Sequence, residues 1–220
     1  MLLPVTCPVC GARGPAPCAR CVAGLRPAPP LAPPPGVESC AALLAYEGVG
    51  RELVARLKYR NARAAVPAVA RALAALVDSG AVDVVTWVPT TAARRRARGF
   101  DQAELLARAV ARPLGRPCRA LLRRCPGPAQ TGRPLQARRA GPSIDPRRPA
   151  PPRVLLVDDV ITTGATVAAA ARALRSAGAV EVHVLAAART PPPVRGVHSG
   201  MAVRGSVVES RRQPQAKRPT

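Results

Sequence analysis

The chain has 220 residues, 34 of them Lys or Arg against 12 Asp or Glu, for a formal net charge of +22. That length accommodates one ordinary domain with a small appendage, and 48% hydrophobic residues suffice for a core, which excludes disorder throughout. With 2% aromatics the core must be Val, Leu, Ile and Ala, while the cation surplus favours anionic partners such as phosphates or nucleic acid. All the basic residues except Lys58 and Lys217 are arginine. A GC-rich coding sequence produces that skew without selection for binding, so the charge alone names no partner. No apolar run approaches the roughly 18 residues of a membrane span, and MLLPVTCPVC reaches cysteine and proline before a signal-peptide apolar region develops. A cytoplasmic protein is expected, in which seven cysteines do not make a disulfide framework.

Residues 7–21 read CPVCGARGPAPCARC, two C-x2-C knuckles at Cys7, Cys10, Cys18 and Cys21. Four thiolates at this spacing suit tetrahedral Zn2+ in a closed structural site with no position left for a catalytic water. Redox use and a degenerate knuckle are the alternatives, and both fit poorly a module of roughly fifteen residues that could not otherwise fold. Cys40, Cys118 and Cys125 have no partner at ligand spacing and read as small core or loop residues. The knuckle is assigned to residues 1–25. A Pro-rich stretch, RPAPPLAPPPG, makes 26–37 a stiff, extended linker and a domain boundary.

The main domain is assigned to 38–190. SCAALLAY at 39–46 predicts a short strand, and apolar residues at helical spacing predict helices in 50–59 and 63–77, the second closed by Asp78, Ser79 and Gly80. Strand and helix patterns then alternate: strands at 82–88, 118–122, 153–157 and 180–187, helices at 102–111 and 166–178. Such alternation predicts an α/β fold with a central parallel sheet flanked by helices. Two stretches lack periodicity. The segment 123–152 is too long for a plain connection and reads as functional or mobile, and the basic tail 191–220 reads as disordered.

Residues 154–166, VLLVDDVITTGAT, carry the chemistry. An apolar strand ends in two adjacent carboxylates, Asp158 and Asp159, and a Thr-Thr-Gly-Ala-Thr turn opens a helix. The carboxyl end of a parallel strand is where α/β folds bind ligands. Free amides at the start of the helix, with the hydroxyls of Thr162, Thr163 and Thr166 and the close approach allowed by Gly164 and Ala165, form a phosphate cradle. The aspartates have the wrong sign for phosphate and suit sugar hydroxyls or Mg2+. A ribose 5-phosphate meets both requirements.

This string resembles the 5-phosphoribosyl 1-diphosphate (PRPP) signature of type I phosphoribosyltransferases. YEGVGRELVARLKYR at 46–60, VPTTAARRRARGFDQAELLA at 88–107, GPAQTGRP at 127–134 and the four-cysteine module resemble, more narrowly, the ComF family of amidophosphoribosyltransferase-like competence proteins. The resemblance spans about residues 5–190. It implies a type I phosphoribosyltransferase fold with an N-terminal zinc knuckle. It also implies an Arg-rich loop facing diphosphate, with Arg94, Arg98, Gly99 and Gln102, and a flexible loop beginning at Gln130 and Thr131. Asp158 and Asp159, with Mg2+, Arg94 and Arg98, would serve transfer of a phosphoribosyl group; no segment identifies the acceptor. Trp87 stands where the family usually has Pro, Asp101 replaces its Asn, and 138–152 lacks the Asn-Val and Gly-Ala-Phe elements that usually follow the Gln-Thr segment.

Three functions compete. One is an enzyme acting on PRPP with Mg2+. The second, implied by the ComF resemblance, is a DNA-uptake module that holds single-stranded DNA or a helicase and recombination partner. The third is a sensor that binds PRPP without turnover. Single-strand binders usually add aromatic stacking platforms, and few rings are available here, so any DNA binding is expected to be mainly electrostatic.

Overall fold

A computed structural model describes residues 5–30, 32–57, 60–125 and 142–191. The expectations for Gln130, Thr131 and the tail from 192 onward lie outside these residues. The main sheet contains β1 (Ser39–Ala45), β2 (Val84–Trp87), β5 (Arg153–Ile161) and β6 (Glu181–Arg189) in the order β1-β6-β5-β2, with every pair parallel. A separate hairpin pairs β3 (Leu122–Arg124) with β4 (Ile144–Pro146) antiparallel. The α/β class with a central parallel sheet is therefore observed.

Both faces of the sheet are covered, which explains why β5 and β6 read as nearly unbroken apolar runs. Along β5 the side chains alternate. Leu155 and Val157 join a core with α2 (Gly48–Arg56), α3 (Val66–Ala74) and α5 (Gln102–Leu114), whereas Val154 and Leu156 join a second core with α6 (Ala165–Ser176) and the β3–β4 hairpin. In α5 the buried residues Ala103, Leu106, Ala107, Val110, Ala111 and Leu114 keep one face to the sheet. The alanines Ala169, Ala170, Ala171 and Ala173 of α6 fill the second core without large side chains.

Several element boundaries differ from the sequence expectation. The expected helix 63–77 is a 3-10 segment, Arg60–Ala65, followed by α3, and Asp78 caps the 3-10 turn Ser79–Ala81 by accepting the Gly80 amide at 2.8 Å. The strand expected at 118–122 contributes a single parallel bridge, Cys118 to Val85, and the chain then turns into β3. The Arg-rich loop is in fact a helix, α4 (Ala92–Arg98), begun by Thr91, whose hydroxyl accepts the Arg94 amide at 3.2 Å, and stopped by left-handed Gly99.

The Pro-rich stretch is not a free spacer. It runs antiparallel along the outer edge of β1: the Ala45 amide donates to Arg26 O (2.9 Å), and the Ala28 amide to Leu43 O (3.2 Å). Arg189 donates to the carbonyls of Pro29 and Pro30, and Arg175 to that of Gly36. The knuckle, with α1 (Ala19–Ala23), packs on the same body through Val9, Ala16 and Leu25, which meet the first core.

Candidate active site

A cleft of about 350 Å3 opens at the carboxyl ends of the parallel strands, where this architecture places ligands. Its floor is the end of β5 and its walls come from the loop after β2, α4, the start of α5 and the β3–β4 hairpin. Asp158, Asp159, Thr162 and Thr166 from the signature string line it together with Arg94 and Arg98 from α4. With Gln102 from the start of α5, the structure thus brings seven sequence-predicted residues, from two segments about sixty positions apart, into one cavity. Thr163, Gly164 and Ala165 form the turn beneath. Gly164 is left-handed (φ 76°) and starts α6 without a side-chain cap; the Thr163 hydroxyl is 3.4 Å from the Ala165 amide. Beyond Ala165, whose amide donates to the Thr163 hydroxyl, the first amides of α6 have no side-chain cap and can meet an oxyanion.

Asp158 is buried, and its carboxylate accepts the Asp159 amide at 2.8 Å. Burial, reinforced by the charge of Asp159, pushes the Asp158 carboxyl well above the usual carboxylate range, and the amide only partly opposes this. A buried carboxyl beside a second one favours a bound cation. Oxygen donors of this kind suit Mg2+, which typically binds to one or two protein carboxylates and completes its shell with phosphate oxygens and water.

Asp101, Tyr46 and Arg124 are among the cleft residues that lay outside the expected site set. Asp101, noted in the sequence only as a departure from Asn, caps α5 through the Ala103 amide (3.1 Å) and also accepts the Thr90 amide (2.9 Å), tying the loop after β2 to α5. Burial raises its pKa despite the amide donors. Tyr46, in the YEGVG segment, lines the cleft from the end of β1. Arg124 reaches it from β3, out of a segment with no readable period. Gln102, expected to face diphosphate, lines the cleft but donates its side-chain amide to Val54 O at 3.1 Å, joining α5 to α2.

At the other end of the chain the Sγ atoms of Cys7, Cys10, Cys18 and Cys21 lie within 4.8 Å of one another, with Cys10 and Cys18 separated by 3.6 Å. A tetrahedron with Zn–S bonds of about 2.3 Å requires S···S separations of about 3.8 Å, so the set fits such an ion. The first knuckle is closed by Gly11 N to Cys7 O (2.9 Å) and Cys7 N to Ala12 O (2.8 Å). The Cys18 amide points at the Cys7 sulfur at 3.5 Å, the kind of contact that steadies a thiolate ligand.

Residues 129–205 match the model of the phosphoribosyl transferase domain family. No curated protein matches the chain. Similar solved structures include the allosteric regulatory enzyme of purine biosynthesis (27% identity over 61% of this chain and 27% of that one, TM-score 0.40). Another is the glutamine PRPP amidotransferase of B. subtilis (24%, 60% and 30%, TM-score 0.42). A third is the purine phosphoribosyltransferase of Pyrococcus horikoshii Ot3 (21%, 57% and 83%, TM-score 0.39). The chain spans under a third of the length of the first two. No helix among the described residues is long and apolar enough to cross a membrane. The family match includes β5, the threonine turn, α6 and β6, the parts that make the floor of the cleft, and the chain carries a phosphoribosyl transferase domain.

Proposed function

We propose that this is a ComF-like protein whose cleft binds PRPP, or another ribose 5-phosphate ligand, with Mg2+, and that it transfers the phosphoribosyl group to an acceptor. The observation that carries the proposal is the joining, in one cleft, of the Asp158–Asp159 pair and the uncapped threonine turn with the guanidinium groups of Arg94 and Arg98. In this reading the turn at Thr162–Thr166 receives the 5-phosphate. Asp158 and Asp159 accept hydrogen bonds from the ribose hydroxyls and hold Mg2+, which supplies charge neutralisation to the departing diphosphate. Arg94 and Arg98 hold that diphosphate by planar, two-point contacts. As the C1–O bond to diphosphate breaks, its electrons leave with the diphosphate and the acceptor forms the new bond to C1; the chain's part is to fix these groups in line and stabilise the leaving charge.

The direct test is a PRPP titration by calorimetry followed by an assay of diphosphate release. Binding with acceptor-dependent release supports the transferase, binding without release supports a sensor, and a folded protein that binds no PRPP overturns both. For the knuckle we propose one structural Zn2+ on Cys7, Cys10, Cys18 and Cys21 in the cytoplasmic protein.

Arg95 and Arg96, exposed on α4, favour a second reading: DNA uptake, with single-stranded DNA, or a helicase or recombination mediator, as partner. The rings offer it little. Trp87 is buried, with Arg108 over it (5.7 Å), and Phe100 lies beneath Arg63 (4.6 Å). Binding to single strands should therefore fall steeply with added salt as counterions are released. Affinity unchanged between 50 and about 200 mM salt would contradict an electrostatic contact.

A further inference from the structure

Several arginines among the described residues are paired with acids. Arg56, Arg108, Arg153 and Arg175 each meet a carboxylate, those of Glu52, Glu104, Asp83 and Glu38. Arg94, Arg98 and Arg124 line the cleft, and none of them pairs with a carboxylate of the described residues. Arg124 comes from an element unrelated to α4. Three guanidinium groups that face one cavity from two elements suit an anion whose oxygens they can share. Burial lowers the pKa of the Arg124 guanidinium and the charge of Arg94 lowers it further, while that of Asp158 across the cleft raises it.

What turns Arg124 inward is the β3–β4 hairpin. Successive strand residues point to opposite faces. On one face Asp145 of β4 stands opposite Arg123, accepts its guanidinium at 3.5 Å and accepts the Cys125 thiol at 2.8 Å. Both neighbours of Arg124 are thus held by one carboxylate. The Cys125 amide donates to Ser143 O at 3.1 Å, which fixes the end of the strand. The opposite face carries Leu122 and Ile144, both buried in the second core, and from that face Arg124 reaches the cleft.

We propose that Arg124 is a third ligand-binding guanidinium, holding the diphosphate end of the ligand with Arg94, and that Asp145 is its positioning residue. This rests on the phosphoribosyl reading of the cleft and adds to it a diphosphate contact supplied by the hairpin. The ribose 5-phosphate end, built on Asp158–Thr166, is independent of the hairpin.

Two probes separate the ends: inorganic diphosphate and ribose 5-phosphate, each titrated calorimetrically into the full chain at fixed Mg2+. Arg124→Gln should weaken diphosphate roughly 10- to 100-fold, the loss of one charge-assisted contact, and leave ribose 5-phosphate within about twofold. Arg124→Lys, which keeps the charge but not the fork, should fall between. Asp145→Ala should lower diphosphate affinity in the same selective way, and Asp145→Asn, which still accepts the thiol and the Arg123 guanidinium, should restore most of it. A general loss of packing would weaken both probes together and lower the melting temperature, which would overturn the assignment. Unchanged diphosphate binding in Arg124→Gln would overturn the contact alone, and an effect of Arg124→Gln without one of Asp145→Ala would overturn the positioning role. A wild type that binds neither probe would instead remove the underlying reading of the cleft.

Discussion

Asp158→Asn combined with Asp159→Asn is expected to lower PRPP affinity at least about a hundredfold. Each hydrogen bond to a charged group contributes about 1.5–3 kcal/mol, and two such groups face the ligand from the end of β5. The same change at Asp158 alone should act on the free protein in the opposite direction. Its carboxyl is buried, and burial together with Asp159 raises its pKa well above that of an unfolded Asp, about 3.9. The folded state therefore binds this proton more tightly than the unfolded chain. The stability it contributes is complete below the unfolded pKa and is lost as pH rises through the folded one. Above the unfolded pKa the ligand-free wild type carries the cost of burying this carboxyl, either by taking up a proton that the unfolded chain has lost or by holding the charge out of water. Asn cannot ionise, and its side-chain oxygen still accepts the Asp159 amide.

Asp158→Asn should accordingly melt higher than wild type at pH 7 to 8, and the difference should shrink as pH falls towards 4. Mg2+ should stabilise the wild type and leave the variant unmoved. Thermal melts of both proteins across pH, with and without Mg2+, read this out. Asp101, which burial also raises, is present in both, so its contribution cancels in the comparison. A variant less stable than wild type at every pH would sink the burial explanation, while a stabilised variant that still bound PRPP would sink the ligand role. A site residue that destabilises the empty protein is the usual trade between function and stability.

What the sequence made legible follows from which interactions are local. The floor of the cleft is contiguous: strand, carboxylates, threonine turn and helix occupy 154–176, and their order in the chain is their order in space. α5 was legible because its apolar positions repeat over three turns. α4 was not: AARRRAR offers no apolar face, all its residues are outside the core, and only Thr91 and Gly99 mark its ends. Arg124 and Asp145 were hidden for another reason. Strands of three residues are too short to show alternation, and the pairing that joins them spans twenty positions of Pro- and Arg-rich sequence. The linker reads as stiff and extended, and its docking along β1 was not legible because it uses backbone carbonyls, which no side-chain pattern marks. Proline removes a donor and keeps its carbonyl, and here Arg26, Pro29, Pro30 and Gly36 all accept hydrogen bonds from the folded body.

That docking links the knuckle to the sheet, so removal of metal is expected to open more than the knuckle itself. Cys7 and Cys21 are buried although residues 5–25 have few large apolar side chains. Bound Zn2+ would supply the folding energy they lack, with apparent values of about 10–16 kcal/mol in isolated zinc-finger peptides. Native mass spectrometry should find one zinc per chain, lost on chelation or in Cys7→Ser. Without it Val9, Ala16 and Leu25 should leave the first core, and Arg26 and Ala28 should come away from β1. β1 is an edge of the sheet, and its uncovered amides invite pairing with another chain. Hydrogen exchange should then show the Ala45 amide unprotected in the metal-free protein while β5 and β6 stay protected, and light scattering should show concentration-dependent self-association. If chelation removes the metal and Ala45 remains protected in a monomer, the linker holds β1 by itself and the knuckle has no part in covering the edge.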